Sequence, residues 1–135
     1  MTVVDSSAIV DFLVEGRAGA EVSELLARED EAAAPDLLVF EVLAVLRREL
    51  FRGAIDEDRA AGAVEDLGSV GLTLIPAIGF RRRAWELRHN LTASDALFLA
   101  VAEDLNEPLA TTDRRLAAAA RRHTGVEVLV LGAAS

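Results

Sequence analysis

Short apolar runs alternate with segments of helical periodicity along most of the chain, and this alternation restricts the fold more than any other feature. Four runs have the length and composition of strands: Val3-Val4, Leu72 to Ile75, Pro108 to Thr111 and Val126 to Leu131. Helical spacing of apolar residues predicts helices over residues 8–14, 21–31, 37–52, 56–67, 77–89, from Thr92 or Ser94 to 105, and 113–122. Strands separated by helices predict an α/β fold, a three-layer domain with a central, mainly parallel sheet.

The 135 residues contain no repeat and no linker, so we expect a single domain over residues 1–135. There is no cysteine, which excludes thiolate metal sites and fits a reducing compartment. The N-terminus lacks the pattern of a signal peptide, and no apolar stretch approaches the roughly 20 residues that cross a membrane. We therefore expect a cytoplasmic protein without a membrane contact.

The net charge is −9, and all 14 basic residues are arginine. The missing lysine excludes chemistry that depends on an ammonium group. A strongly acidic chain is a poor general binder of nucleic acid. Any nucleic acid must therefore meet a local basic surface or a metal ion.

Three aspartates are predicted to lie at helix starts. Asp5 and Asp113 also follow strands, and ligands of parallel α/β sheets bind beyond the carboxyl ends of the strands. Asp95 precedes a strongly apolar segment, so the start of its helix is expected to point into the domain. Each aspartate alone could be a simple helix cap or could complement the helix dipole. The sequence leaves both roles open.

Glu41 is the most informative acidic residue. It is the one charged residue among the ten from Leu37 to Leu46, so its helix is expected to have almost no solvated face. A buried, unpaired carboxylate is costly. Glu41 must therefore form a salt bridge, with Arg47 or Arg81 as candidates, or face a cleft as a ligand.

Four converging carboxylates would repel each other and raise one another's pKa, and a divalent cation removes that cost. A site of oxygen ligands alone suits Mg²⁺ or Mn²⁺. The predicted metal ligands and catalytic acids are Asp5, Glu41, Asp95 and Asp113.

Four segments together resemble the PIN-domain ribonucleases, and among them the VapC-type toxins of toxin–antitoxin pairs. They are residues 3–10 (VVDSSAIV), 41–48 (EVLAVLRR), 94–102 (SDALFLAVA) and 108–116 (PLATTDRRL). The similarity in order and spacing covers essentially the whole chain, although no single motif is decisive. One departure is Ser94, which stands where an aromatic residue is frequent in the family.

The resemblance implies a PIN-like fold and a metal-dependent endoribonuclease that hydrolyses RNA phosphodiester bonds. It carries over the four acids as metal ligands and Ser7 and Thr112 as supporting hydroxyl positions. It also implies the role of a type II toxin, a small cognate antitoxin as partner, and a homodimer.

Other residues carry weaker signals. Four arginines are candidate RNA contacts, with a solvated helix face as the alternative: Arg81, Arg82, Arg114 and Arg115. Trp85 and the phenylalanines are predicted to lie in the core, and His89 and His123 on the surface.

Two competing functions stay open at this stage. A phospho-receiver-like binding module also keeps acids at strand ends, but its chemistry resembles a scheme that uses a lysine, which this chain lacks. The same absence weakens haloacid-dehalogenase-like phosphatases and P-loop enzymes, and no glycine-rich phosphate motif is present. A PIN-like domain that has lost catalysis is the other alternative.

Overall fold

A computed structural model describes residues 1–28 and 32–132, and within them five strands form one sheet. The strands are β1 (Thr2–Val4), β2 (Ala32–Pro35), β3 (Leu72–Ile75), β4 (Leu109–Thr111) and β5 (Val128–Val130). Their order is β3-β2-β1-β4-β5, and every pair of neighbours is parallel. The predicted α/β class with a parallel sheet is confirmed.

Seven helices in the described residues connect the strands. They are α1 (Ser6–Leu13), α2 (Gly19–Arg28), α3 (Leu38–Phe51), α4 (Glu57–Leu67), α5 (Arg81–Glu86), α6 (Ala93–Leu105) and α7 (Arg114–His123). The helix predicted over residues 77–89 is instead a 3₁₀ turn, Ala77–Phe80, followed by the short α5. The end predicted for the second helix, residues 29–31, lies outside the described residues. None of the described helices has the length and apolar character that a membrane crossing requires.

Strand β2 was not predicted. Three of its four residues are alanine, a residue depleted in strands, so neither propensity nor alternation indicated it. All four residues are buried, and the strand pairs with β1 on one side and β3 on the other. Helix α6 packs directly on β2, and small side chains let a helix approach the sheet closely. Tertiary packing therefore determines this strand.

The connections place helices on both faces of the sheet. The chain runs from β1 outward through β2 to β3, then returns to the other side of β1 to form β4 and β5. Right-handed crossovers put α1–α4 on one face and α5–α7 on the other. Accordingly, α1 contacts α2, α3 and α4, whereas α5 packs on α6. The direction of winding reverses between β1 and β4, which is where sheets of this kind bind ligands.

Two predictions about burial were wrong. Helix α3 is not enclosed all round, because Val39, Phe40 and Leu43 are exposed and Phe40 retains 73% of its accessible surface. Trp85 is not a core residue either, since it is 68% exposed and stacks under the guanidinium of Arg88. Of the phenylalanines predicted to lie in the core, Phe98 of α6 is fully buried there, whereas Phe40 and Phe51 are exposed.

Candidate active site

Asp5 stands at the junction of β1 and α1 and is 5% exposed. Its Oδ1 accepts hydrogen bonds from the Ser7 hydroxyl at 2.6 Å and from the backbone N–H of Ala8 at 3.1 Å, which caps α1. Its Oδ2 accepts from the Thr111 hydroxyl at 2.5 Å. Burial raises the pKa of Asp5 to about 6, although the three hydrogen bonds oppose the shift, and repulsion from Asp113 adds to it.

Asp113 occupies the equivalent junction of β4 and α7, next to β1 in the sheet. Its Oδ1 caps α7 by accepting from the backbone N–H groups of Arg115 and Leu116, at 2.9 and 3.2 Å. Its own backbone N–H donates to the Thr111 hydroxyl oxygen at 2.9 Å. The Thr111 hydroxyl thus joins the two aspartates, because it donates to Asp5 and accepts from the backbone of Asp113.

Asp95 lies in the first turn of α6 but is not the cap of that helix. The cap is Thr92, whose hydroxyl accepts the backbone N–H of Asp95 at 3.1 Å. The pKa of Asp95 is raised by burial first, then by repulsion from Asp113 and, to a smaller degree, from Glu41. Its carboxylate is therefore placed among the other acids.

Glu41 reaches the same region from α3. Its Oε2 accepts a short hydrogen bond from the Ser94 hydroxyl at the start of α6. Its Oε1 is buried and has no hydrogen-bond partner among the residues that the structure describes. The two arginines considered as salt-bridge partners are elsewhere: Arg47 lies over the ring of Phe51, and Arg81 donates to the carbonyl of Ile78. The salt-bridge alternative is thus wrong, and an unpaired carboxylate oxygen faces inward.

The four predicted acids therefore share one electrostatic neighbourhood. Repulsion couples Asp5 to Asp113, Asp113 to Asp95, and Asp95 to Glu41. Within residues 1–28 and 32–132, however, no three acidic or histidine side chains form a ready coordination shell. We refer to Asp5, Glu41, Asp95 and Asp113 as the acid cluster.

A sequence model of the PIN domain matches residues 2–122 of the chain. The chain belongs to the PIN-domain family. Ribonuclease VapC1 of Mycobacterium tuberculosis is 41% identical over 118 residues, which cover 87% of this chain and 89% of the relative. Ribonuclease VapC12 of the same organism is 32% identical over 129 residues, which cover 96% of this chain and 99% of that relative. These relatives place the chain in the VapC branch, as the four segments predicted.

Two solved structures share the architecture. The PAE2754 protein of Pyrobaculum aerophilum has a TM-score of 0.68 and 25% identity, with 94% of this chain and 81% of that chain covered. VapBC2 of Rickettsia felis, solved with a DNA fragment from its promoter, has a TM-score of 0.65 and 14% identity, with 96% and 98% covered. The second likeness concerns the fold alone.

Two hydroxyls of this PIN domain were missed from the sequence. Thr111, not Thr112, donates a hydroxyl to Asp5, whereas Thr112 contributes its backbone N–H to the Ser7 hydroxyl oxygen at 3.2 Å. Ser94 was predicted as a possible helix start and as a departure from the family, yet its hydroxyl donates to Glu41. A signal was present in both cases, since each hydroxyl is within two residues of a predicted ligand.

The predicted basic residues of this PIN domain divide into two groups. Arg114 and Arg115 are exposed in the first turn of α7, beside Asp113. Arg81 and Arg82 are exposed on α5, and no contact in the described residues joins them to the acid cluster. His89 is exposed and His123 is half-buried at the end of α7.

Proposed function

We propose that this PIN domain is a metal-dependent endoribonuclease that acts as the toxin of a type II toxin–antitoxin pair. The observation that carries the proposal is the buried, unpartnered Oε1 of Glu41 within a set of four coupled acids. An unsatisfied buried oxygen costs about 1–3 kcal/mol, and more when it is charged. A ligand that accepts lone pairs from several carboxylates would remove this cost.

The donor set fits Mg²⁺ or Mn²⁺, because all four side chains offer hard oxygen atoms. Asp5, Glu41, Asp95 and Asp113 would hold the ion. When bound, such an ion lowers the pKa of water and offsets the charge that develops on a phosphodiester. The rest of the site orients the ligands: Ser7 and Thr111 fix Asp5, and Ser94 fixes Glu41.

The substrate we assign is RNA, in line with the ribonuclease names of the relatives. A chain of net charge −9 repels a nucleic-acid backbone at long range. Binding must therefore come from the cluster's cation and from exposed arginines. Arg114 and Arg115 are the best placed to contact the RNA, because they adjoin Asp113. A contact of Arg81 and Arg82 with RNA stays a prediction.

The decisive experiment combines metal binding and cleavage. A panel of transfer, ribosomal and messenger RNA fragments is incubated with the protein in Mg²⁺, in Mn²⁺ and in excess EDTA, beside Asp113→Asn. We expect cleavage only with the ions and only by the wild type. Calorimetric titration with Mg²⁺ should show binding that Asp113→Asn weakens. Full cleavage in EDTA would contradict the proposed mechanism.

We also propose a small antitoxin and a second copy of the chain as partners. The acid cluster would attract an arginine from an antitoxin segment laid across it. The exposed apolar residues of α3, Val39, Phe40 and Leu43, offer a surface for the homodimer, since contiguous exposed apolar patches commonly mark interfaces. Light scattering should give a dimer that Phe40→Glu converts to a monomer and Ile78→Glu, an equally exposed apolar site, does not. A monomeric wild type would contradict the dimer.

A further inference from the structure

An open pocket of ≈ 490 Å³ lies beside the acid cluster. We call it the arginine pocket, and it is lined by Asp11, Arg17, Thr112, Arg114, Leu131 and Gly132. Thr112 connects it to the cluster, because its backbone N–H bonds to the Ser7 hydroxyl that in turn holds Asp5. Asp113 separates Thr112 from Arg114 in the chain. A ligand in the pocket would therefore be a close neighbour of a ligand at the cluster.

The pocket contains two guanidinium groups without partners. Arg17 and Arg114 are both exposed, and neither makes a hydrogen bond or an ion pair in the part of the chain that the structure describes. The Thr112 hydroxyl has no partner there either. By contrast, Arg59 donates to the carbonyl of Val14, and Arg83 forms two hydrogen bonds with Glu103. The arginine pocket thus brings together two guanidinium groups and a hydroxyl whose donors are all unused within the described residues.

Both arginines stand where a positive charge is unfavourable for stability. Arg114 is the first residue of α7, and Arg17 lies two residues before the start of α2. The N-terminal end of a helix carries partial positive charge, so a cation there is repelled. An anion between the two guanidinium groups would relieve this repulsion.

The one carboxylate of the lining is already engaged. Asp11 Oδ2 accepts the backbone N–H of Ala18 at 3.1 Å. Asp11 Oδ1 lies so close to Gly16 that a Cβ there would stand 2.7 Å from it, so a larger residue at this turn would displace the Asp11 carboxylate. Asp11 therefore holds the loop that carries Arg17, and the lining keeps one net positive charge in a chain of net charge −9.

We propose that the arginine pocket binds a backbone phosphate of the RNA strand next to the phosphate at the acid cluster. This inference rests on the proposed ribonuclease function and defines how the substrate is held. Guanidinium groups match the paired oxygens of a phosphodiester. The lining has no aromatic ring on which a base could stack. The pocket therefore positions the strand without reading its sequence.

The test measures binding of a single-stranded RNA oligonucleotide in EDTA, by fluorescence anisotropy at several salt concentrations. The variants are Arg17→Ala, Arg114→Ala and the double variant. Arg122→Ala is the matched control, because Arg122 is an exposed and unpartnered arginine at the other end of α7. We expect each pocket variant to weaken binding about tenfold, and the double variant to reduce the salt slope by about 0.7, the value for one lost phosphate contact on a single strand. Arg17→Lys keeps the charge but not the paired donors, so it should keep the salt slope of the wild type and recover only part of the affinity.

The outcomes distinguish a failure of the pocket assignment from a failure of the nuclease proposal. In Mg²⁺, the pocket variants should raise KM for RNA cleavage and leave kcat close to that of the wild type. If the double variant binds RNA as Arg122→Ala does, or if the wild type binds no RNA, the pocket assignment is overturned. If binding depends on the pocket but no RNA is cleaved in Mg²⁺, the pocket stands and the nuclease proposal falls. Melting curves of each variant exclude loss of folding as the cause.

Discussion

The N-terminus of α1 and the N-terminus of α4 are built in the same way but lie in different surroundings. Asp5 and Asp56 are both extended cap residues whose carboxylates accept the backbone N–H three residues on, from Ala8 at 3.1 Å and from Arg59 at 2.7 Å. Asp5 is buried at the end of a central strand and is also held by two hydroxyls. Asp56 is exposed after a surface turn and has the cap bond alone.

The difference shows what a helix cap does and does not determine. The local pattern of aspartate before a helix sets the hydrogen bond to the first turn in both places. The burial of Asp5 and its hydrogen bond to Thr111 depend instead on the position of β1 beside β4, where the winding of the sheet reverses. Asp56 therefore serves as an internal control for every experiment on the acid cluster.

The largest expected effect is on RNA cleavage. Asp5→Asn and Asp113→Asn keep a good cap but remove one negative charge each, so cleavage should fall by about two orders of magnitude or more, beyond what loss of an outer-shell partner causes. The stabilisation that Mg²⁺ gives the folded protein should also shrink. Asp56→Asn should change neither quantity. Normal cleavage and an unchanged Mg²⁺ shift of Tm in the first two variants would reduce Asp5 and Asp113 to caps.

The second prediction concerns pH and the metal-free protein. The pKa of Asp5 is about 6 in the folded state and about 3.9 in the unfolded chain, so the folded state binds the proton more tightly. The free energy of unfolding should therefore fall by about 3 kcal/mol as pH rises from about 4 to 6, and stay low above that range.

Urea unfolding in EDTA at several pH values measures this dependence. Asp5→Asn should remove most of it and stabilise the metal-free protein above pH 6. Asp56→Asn should leave the curve as it is in the wild type. Identical slopes for all three proteins would contradict the burial-driven shift of the Asp5 pKa.

The third prediction distinguishes the roles of the neighbouring residues Thr111 and Thr112. Thr111→Val leaves Asp5 Oδ2 buried without its donor, so we expect a loss of about 1–3 kcal/mol in stability and a 10- to 100-fold weaker Mg²⁺ affinity. Thr112→Val keeps the backbone N–H that bonds to Ser7 and should leave the Mg²⁺ affinity unchanged. Calorimetric titrations with Mg²⁺ distinguish them, and the reverse ranking would show that Thr112 is the supporting hydroxyl.

The smallest expected effect is at α4. Asp56→Asn should change the free energy of unfolding by a few tenths of a kcal/mol, and Asp56→Ala should cost about 1 kcal/mol, because only the second removes the cap acceptor. Cleavage and Mg²⁺ affinity should match the wild type in both. A loss of cleavage in Asp56→Asn would end its use as a control and would extend the site beyond the sheet edge.

Local chemistry explains which elements were predictable. The strand Leu72–Ile75 and the helix that ends at Gly68 carry strong local signals, and both were predicted at their observed bounds or within one residue of them. The alanine strand Ala32–Pro35 carries none, because its pairing partners and the helix above it are distant in the sequence. The reversal of the strand order could likewise not be read from one sequence.

The site was predicted as a set of residues rather than as a set of contacts. Glu41 was singled out because its helix is apolar in sequence, but that helix is partly exposed. The residue lies in the acid cluster although the stated reason was incomplete. Its bond to Ser94 spans 53 residues, and the choice of Thr111 over Thr112 depends on which side chain turns toward Asp5. Side-chain direction at the end of a strand follows from the register with its neighbour, which pattern alone does not supply.

The two aspartates joined by the Thr111 hydroxyl stand at positions 5 and 113, so most of the chain separates them. Synthesis on a ribosome proceeds from the N-terminus, and β1 with Asp5 emerges long before β4. An incomplete chain that lacks β4 and α7 has neither Asp113 nor the threonine that holds Asp5. This order of assembly therefore delays the complete acid cluster until the last part of translation.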